Sequence, residues 1–249
     1  MSSVADFHRN PDYIHHQKQP RASLIREVVF GMEDGLVSTM GAVTGIAAGT
    51  HDHFIVVLSG FVIIAVESIS MAVGSYLSSK SELEIDRRKL FEETTELKKF
   101  PEEERIELVD MYVKDGWERS LATQMAEAAS KNKKLFLQEM AYRELKIIPE
   151  KMEQPIQNGI AMGIAYVMGG SIALAPYFLI SRVAAAIPWS VGLTLAALFI
   201  LGSITAKFSK RLWWKAGLEM LLLASAAAGI GYLVGQTVEK FWPGKMIIG

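Results

Sequence analysis

One stretch constrains this chain more than any other. Residues 54–79 form twenty-six consecutive positions in which Glu67 is the only charged side chain. At ~1.5 Å per residue a helix of this length spans ~39 Å, enough to cross a ~30 Å hydrocarbon core. A carboxylate at mid-bilayer costs about 2.5–3.5 kcal/mol, so it is retained where it is paired, protonated or facing water. Glu67 is therefore a candidate functional residue, and Met71 and Ser75 follow it at one and two helical turns.

The charges of the chain are concentrated in one block. Residues 80–153 contain 33 of its 53 charged side chains, 18 acidic and 15 basic. The chain has no cysteine, which excludes disulfides and thiolate metal sites and leaves Glu, Asp, His, Met and the backbone as metal ligands. The first 25 residues are polar and lack an apolar segment followed by a cleavage site, so no cleavable signal peptide is predicted. We interpret residues 1–25 as a cytoplasmic arm.

The rest of the chain contains apolar segments that are long enough to cross a membrane as helices. Five spans are predicted, at residues 28–50, 54–79, 155–181, 188–206 and 216–237. Glu33 and Asp34 interrupt the first of these spans. Basic residues cluster before the first span and between the fourth and fifth, which places both regions in the cytoplasm by the positive-inside rule. The fold class predicted is an all-α membrane protein, with five transmembrane helices (residues 26–79 and 155–249) and a cytoplasmic helical metal-binding domain at residues 80–154.

The charged block has the composition of helices. Its high Glu, Lys, Leu and Ala content predicts helices over residues 81–99, 101–114, 117–130 and 133–148. Pro101 precedes three glutamates, as is typical of a helix start.

Several side chains of this block pair on one helix face. Glu93 and Glu96 are three apart, as are Glu104 and Glu107, and Met140 precedes Glu144 by four. Like charges at these spacings repel unless a cation lies between them. One interpretation is a metal site, and the alternative is a solvated acidic face balanced by neighbouring bases: Lys98, Lys99 and Arg105.

The histidines offer a weaker metal hypothesis. His15 and His16 lie in the arm, and His51 and His53 flank the connection between the first two spans. A solvated pair and a simple polar loop are the competing interpretations.

Two short segments of the membrane spans resemble the signature stretches of the vacuolar iron transporter family. They are Asp34-Gly35-Leu36-Val37-Ser38 and Ser70-Met71-Ala72-Val73-Gly74-Ser75-Tyr76-Leu77-Ser78. The resemblance implies five spans with a cytoplasmic domain that binds divalent iron through two Glu-x-x-Glu pairs and a Met-x-x-x-Glu. The matching residues here are Glu93, Glu96, Glu104, Glu107, Met140 and Glu144. It also implies a translocation path through Asp34 and Met71, proton exchange for metal, and a homodimer.

The chain departs from the family pattern in its second span. Members usually have Gly-Glu-Tyr where this chain has Gly74-Ser75-Tyr76, and a small residue where it has Glu67. The eight-residue displacement leaves Glu67 roughly 80° around the helix from the usual carboxylate. We therefore expect a transport path of Asp34 and Met71, with Glu67 and Glu33 as further membrane carboxylates.

Carboxylates with one thioether suit borderline ions, so ferrous iron is the expected substrate, with manganese, cobalt and zinc as competitors. The function predicted is export of ferrous iron from the cytoplasm by proton antiport. The protein is expected to act in a lipid bilayer as a homodimer, without a nucleic-acid partner. A membrane-anchored metal sensor or storage module is the alternative. An enzyme of the di-iron carboxylate class is not favoured, because its Glu-x-x-His pairs are missing. The expected membrane is a prokaryotic cell membrane, otherwise a vacuolar one.

Overall fold

The computed structural model describes residues 22–149, 152–209 and 211–241. Within these ranges the chain is helical and contains no strand, in agreement with the predicted all-α class. The helices are α1 (Ala22–Thr50), α2 (His53–Lys99), α3 (Pro101–Lys114), α4 (Arg119–Ser130), α5 (Lys133–Arg143), α6 (Pro155–Leu179), α7 (Val183–Ser209) and α8 (Trp213–Phe241). His15 and His16 lie outside the described residues.

The longest element is α2, which has 47 residues. The side chain of Asp52 caps its start by accepting a hydrogen bond of 3.0 Å from the Ile55 N–H. The prediction of a separate helix over residues 81–99 was wrong, because the second span continues into it without a break. Residues 75–99 contain no glycine or proline that would interrupt the helix. At ~1.5 Å per residue α2 is ~70 Å long, more than twice a hydrocarbon core.

Other helix boundaries also differ from the prediction. Helix α5 ends at Arg143 and not at residue 148, because Lys146 adopts a left-handed conformation with φ 58°. Helix α1 already includes residues 22–25 of the predicted arm, since the apolar pattern extends to them. Helix α7 begins at Val183, ahead of the predicted start at Pro188.

Three helices in the described ranges are long and apolar enough to cross a membrane: α2, α6 and the Val183–Ala206 part of α7. The predicted spans at residues 28–50 and 216–237 lie in α1 and α8, which are helical. Helix α1 carries Glu27, Glu33 and Asp34, which lower its mean hydropathy.

These long helices pack around α6. Helices α1 and α2 both make extensive contacts with α6, and α7 and α8 contact each other and α1. The closest approaches require glycine. A Cβ atom on Gly31 would lie 2.6 Å from the Met162 carbonyl oxygen, and one on Gly159 would lie 2.7 Å from that of Ala72.

The connection between α1 and α2 uses one of its histidines for packing. The Nε2 atom of His53 lies 2.6 Å from the carbonyl oxygen of Tyr177 in α6, within hydrogen-bonding distance. His51 has φ 53° and lies in the turn. The position of His53 supports the polar-loop interpretation over a histidine metal site.

Helices α3, α4 and α5 form a small body beside the far end of α2. Pro101 occupies the first position of α3, and the side chain of Asn132 caps α5 by accepting bonds of 3.1 and 3.2 Å from backbone N–H groups. Their apolar faces share one core: Leu108, Val109, Tyr112, Ala122, Ala126, Ala129, Phe136 and Met140. This core joins α3, α4 and α5, and Leu97 near the end of α2 packs against it.

Candidate metal centre

A one-residue corner brings the two acidic helices together. Helix α2 ends at Lys99 and α3 begins at Pro101, with Phe100 between them. The Phe100 N–H donates to the Glu96 carbonyl at 2.8 Å, and the Glu104 N–H donates to the Phe100 carbonyl at 3.0 Å. Both helices therefore stay regular up to the corner, and Glu93 and Glu104 each lie about one to two turns from it.

Three glutamates meet beside this corner. Carboxylate oxygens of Glu93, Glu104 and Glu144 all lie within 4.8 Å of one another. Glu93 is 2% exposed and Glu104 is 7% exposed, whereas Glu144 is open to solvent. We call these three residues the acidic cluster.

Two oxygen atoms of the acidic cluster lack a hydrogen-bond partner. They are Oε1 of Glu93 and Oε2 of Glu104, and both are buried. A buried polar atom without a partner is costly, and a buried carboxylate is costlier still unless a proton or a cation neutralises it. Carboxylate oxygens that converge on one point are the ligands that divalent cations use. The arrangement can hold such an ion.

The electrostatics of the acidic cluster follow from this burial. Burial, followed by the charges of Glu144 and Glu104, raises the pKa of Glu93 from 4.5 to about 8. Burial likewise raises the pKa of Glu104 to about 7, with Glu107 as the next cause. The pKa of Glu144 is also raised, mainly because its carboxylate loses part of its hydration, although the residue as a whole is exposed. Near neutral pH the cluster therefore holds protons that a metal ion would displace.

The other three predicted ligands take different positions. Glu96 and Glu107 are exposed, and their charges act on members of the acidic cluster. Met140 is fully buried within the core that joins α3, α4 and α5. Met140 lies one turn before Glu144, and its carbonyl accepts the Glu144 N–H at 2.8 Å. A thioether ligand at Met140 stays a prediction.

An arginine anchors the end of α5 next to Glu144. Arg143 donates to Glu139 at 3.1 Å, forms an ion pair with Asp115, and lies 4.3 Å from the centre of the Tyr112 ring. These contacts hold the last turn of α5 against α3. Glu144 is thereby kept near the corner at Phe100.

The solvated-face alternative requires basic partners for the acids. In the described part of the chain, Arg105 pairs with Glu102 and Arg88 pairs with Glu92. The ion pairs found there involve no member of the acidic cluster. The nearby bases therefore pair with exposed glutamates, and none of these ion pairs neutralises a buried one.

Three of the four predicted residues of the transport path line two recesses. Glu33 and Asp34 are half-buried and line a small recess of about 150 Å³ between α1 and α8. Met71 lines a larger groove of about 710 Å³ between α1 and α2. Phe30 borders both recesses. The structure does not bring Asp34 and Met71 into one recess of the single chain.

Glu67 lies on an exposed part of α2. Its charge acts on Asp34, so the two carboxylates are within electrostatic range. Apolar neighbours share this exposure, including Val66 at 62% and Ile69 at 65%. A carboxylate on the outer surface of an apolar helix requires cover from lipid headgroups, water or another protein surface.

The sequence did not predict four polar contacts that the structure shows. The hydroxyls of Ser38 and Tyr166 are 2.5 Å apart, joining α1 to α6 close to Asp34. The Asn158 amide donates to Ser79 at 2.9 Å and to Glu153 at 2.5 Å, where α2 leaves the apolar region. The fourth contact joins Glu27 to Ser75. Glu27 lies seven residues, or two helical turns, before Asp34. This spacing was the sequence signal that could have placed Glu27 on the same helix face as Asp34.

Comparison with known proteins agrees with the signature stretches. The sequence pattern of the VIT family matches residues 25–236. Vacuolar iron transporter 1 of Arabidopsis thaliana is 28% identical over 227 residues, covering 90% of this chain and 91% of the relative. Vacuolar iron transporter 1 of Oryza sativa subsp. japonica is 26% identical, covering 95% and 94%. Vacuolar iron transporter of Toxoplasma gondii is 28% identical, covering 92% and 78%. The resemblance seen in the sequence is therefore confirmed, and the chain belongs to the VIT family.

Proposed function

We propose that this protein transports ferrous iron out of the cytoplasm in exchange for protons. The observation that carries the proposal is the acidic cluster, in which Glu93 and Glu104 bury carboxylate oxygens without a partner. It lies near the end of α2, the same helix that contains an apolar membrane candidate. The names of the relatives supply iron as the metal. The alternative of an anchored sensor or storage module uses the same cluster without transport.

The proposed topology has five membrane spans. They are α1, the first part of α2, α6, α7 and α8, with α3, α4 and α5 in the cytoplasm. The length of α2 supports this arrangement, because ~70 Å of helix exceeds a ~30 Å hydrocarbon core and its charged second half must lie outside it. The basic residues near the first span and between α7 and α8 support a cytoplasmic position for both regions.

The choice of metal follows from the ligands. Glutamates alone suit hard ions, and a methionine shifts preference towards softer ones, so ferrous iron is favoured with manganese, cobalt and zinc as competitors. In this proposal Glu93, Glu104 and Glu144 bind the ion, Glu96 and Glu107 attract it, and Met140 contributes its thioether. Ions then pass to Asp34 and Met71, with Glu33 and Glu67 as proton-exchanging groups.

The proposed transporter is a homodimer whose path lies near the subunit interface. The exposed position of Glu67 supports this, because a second copy packed on α2 would cover a carboxylate that a single chain leaves on its surface. A second copy would also bring further groups to the groove that contains Met71. Native mass spectrometry that found only monomer under conditions that retain transport would contradict the dimer.

The membrane proposed is a prokaryotic cell membrane, and otherwise a vacuolar one as in the names of the relatives. Uptake by the purified protein in liposomes tests the function. Ferrous iron, manganese and zinc are compared under anaerobic conditions with and without a pH gradient. We expect ferrous iron to enter, faster when the gradient drives protons the other way. Metal binding without any transport would favour the sensor or storage module.

A further inference from the structure

A third buried acid lies away from the acidic cluster. Among the described residues three acidic side chains are buried, and two of them, Glu93 and Glu104, belong to the cluster. The third is Glu27 in α1, which is 5% exposed. Its Oε2 atom accepts a hydrogen bond of 2.7 Å from the Ser75 hydroxyl in α2. Its Oε1 atom accepts bonds of 2.9 and 3.1 Å from the Arg26 guanidinium.

Glu27 faces the groove of about 710 Å³ between α1 and α2. The same groove is lined by the thioether of Met71 and by three further hydroxyl groups, those of Ser70, Ser78 and Ser79. A carboxylate, a thioether and several hydroxyls are together a donor set suited to a partly hydrated borderline dication. The groove is thus both large enough and polar enough to admit an ion with part of its water shell.

The ion pair between Arg26 and Glu27 can be broken at little cost. The side chain of Arg26 is 63% exposed, whereas that of Glu27 is 7% exposed. An ion pair with a solvated partner contributes little, because water replaces the lost contact of the arginine. The buried carboxylate has no such replacement, and without Arg26 it needs another cation. Arg26 is therefore a partner that another cation could displace from Glu27 at little cost.

The position of Glu27 links the two sites proposed above. It lies seven residues before Asp34, about 10.5 Å along α1 and roughly 20° around it, so the two share a helix face. Its partner Ser75 lies eighteen residues before Glu93 on α2, about 27 Å along that helix. Glu27 therefore lies between the acidic cluster and Asp34.

We propose that Glu27 and Ser75 form a cation-binding station for the transported ion, which Arg26 occupies when no metal is bound. This inference rests on the proposed function. Substitution of Arg26 then removes a group that competes with the metal ion for Glu27. Substitution of Glu27 removes the ligand itself. The two substitutions should act in opposite directions, which a purely structural ion pair would not produce.

Uptake of ferrous iron into liposomes under anaerobic conditions tests the station. Arg26→Gln should lower the KM by about threefold or more, because the carboxylate is no longer occupied. Glu27→Gln should reduce uptake roughly tenfold or more. The double variant Glu27→Gln with Ser75→Glu should recover most of that loss, since a carboxylate at residue 75 reaches the same part of the groove. Arg88→Gln and Glu84→Gln are exposed controls that should leave uptake unchanged.

An unchanged or raised KM in Arg26→Gln would overturn the proposal even if Glu27→Gln failed to fold. So would absence of recovery in the double variant, provided that it elutes as the parent does in size-exclusion chromatography.

Calorimetry separates this inference from the proposed function. The full chain carrying Glu93→Gln, Glu104→Gln and Glu144→Gln should still bind ferrous iron, and adding Glu27→Gln should weaken that remaining binding. Liposomes that take up no iron would contradict transport alone. Residual binding that is the same with and without Glu27 would contradict the station.

Discussion

The carboxylates of Glu93 and Glu104 lie within 4.8 Å of each other, although the corner at Phe100 separates the helices that carry them. Both are buried, and each has an oxygen atom without a partner. Two negative charges cannot remain so close in a dry environment without a proton or a cation. In the metal-free protein these glutamates therefore hold protons near neutral pH. A divalent ion would displace those protons.

Loss of either buried carboxylate should weaken metal binding. We expect Glu93→Gln and Glu104→Gln each to reduce the affinity for ferrous iron roughly 10- to 100-fold, because each removes a ligand while preserving side-chain volume. Calorimetry on the purified full-length protein measures this. Glu92→Gln is a matched control, since Glu92 is exposed and paired with Arg88. Equal affinities in all three variants would support the solvated-face interpretation.

The metal-free protein should lose stability as the pH rises. Glu93 has its pKa raised from 4.5 to about 8, so the folded state retains a proton that the unfolded chain releases above about pH 4.5. Folded protein thus binds more protons than unfolded protein in this interval, and the free energy of unfolding falls between about pH 5 and 8.

Thermal unfolding in detergent at a series of pH values measures this loss. Glu93→Gln should show a smaller decrease in Tm, and saturating manganese should restore the Tm of the parent at pH 8. A parent whose Tm rises steadily from pH 5 to 8 would show that the cluster is not protonated in the folded state.

The two predicted ligands in the membrane region should differ in effect. Asp34→Ala should abolish transport, because the ion loses its charged anchor, while metal binding at the acidic cluster persists. Met71→Leu should retain transport but reduce discrimination against harder ions such as manganese, because the thioether favours softer ones. Competition between ferrous iron and manganese in liposomes measures the difference. Transport by Asp34→Ala at the rate of the parent would exclude Asp34 from the path.

Glu67 should serve proton exchange and not metal binding. We expect Glu67→Gln to bind ferrous iron with the affinity of the parent and to transport it without a response to the pH gradient. The physical reason is that a carboxylate near the membrane interior can gain and lose a proton during the cycle. If the variant responds to the gradient as the parent does, Glu67 is a structural or subunit-contact residue, and the coupling group must be sought at Glu33, Asp34 or Glu27.

Much of this architecture could be predicted from local sequence. Apolar length, clustered charge and the Phe100-Pro101 break identified the helices, because helix formation and membrane transfer depend on runs of neighbouring residues. The three-residue spacing of Glu93 with Glu96 and of Glu104 with Glu107 identified these glutamates as candidate metal ligands. The signature stretches around Asp34 and Met71 identified the family. All these signals are short-range and are visible in a printed sequence.

Other features depended on how the helices pack. Spacing gave equal weight to four glutamates of α2 and α3, yet only Glu93 and Glu104 are buried, because the core around Leu108 and Met140 selects one face of each helix. Only the seven-residue spacing to Asp34 distinguishes Glu27 in the sequence from an ordinary charge beside Arg26. Its role arises where Ser75 of a second helix approaches it, 48 positions later in the chain. Burial, and with it the free-energy cost of an unpaired carboxylate, is a property of tertiary contact. The sequence therefore determined which acids were available, and the packing decided which of them are buried.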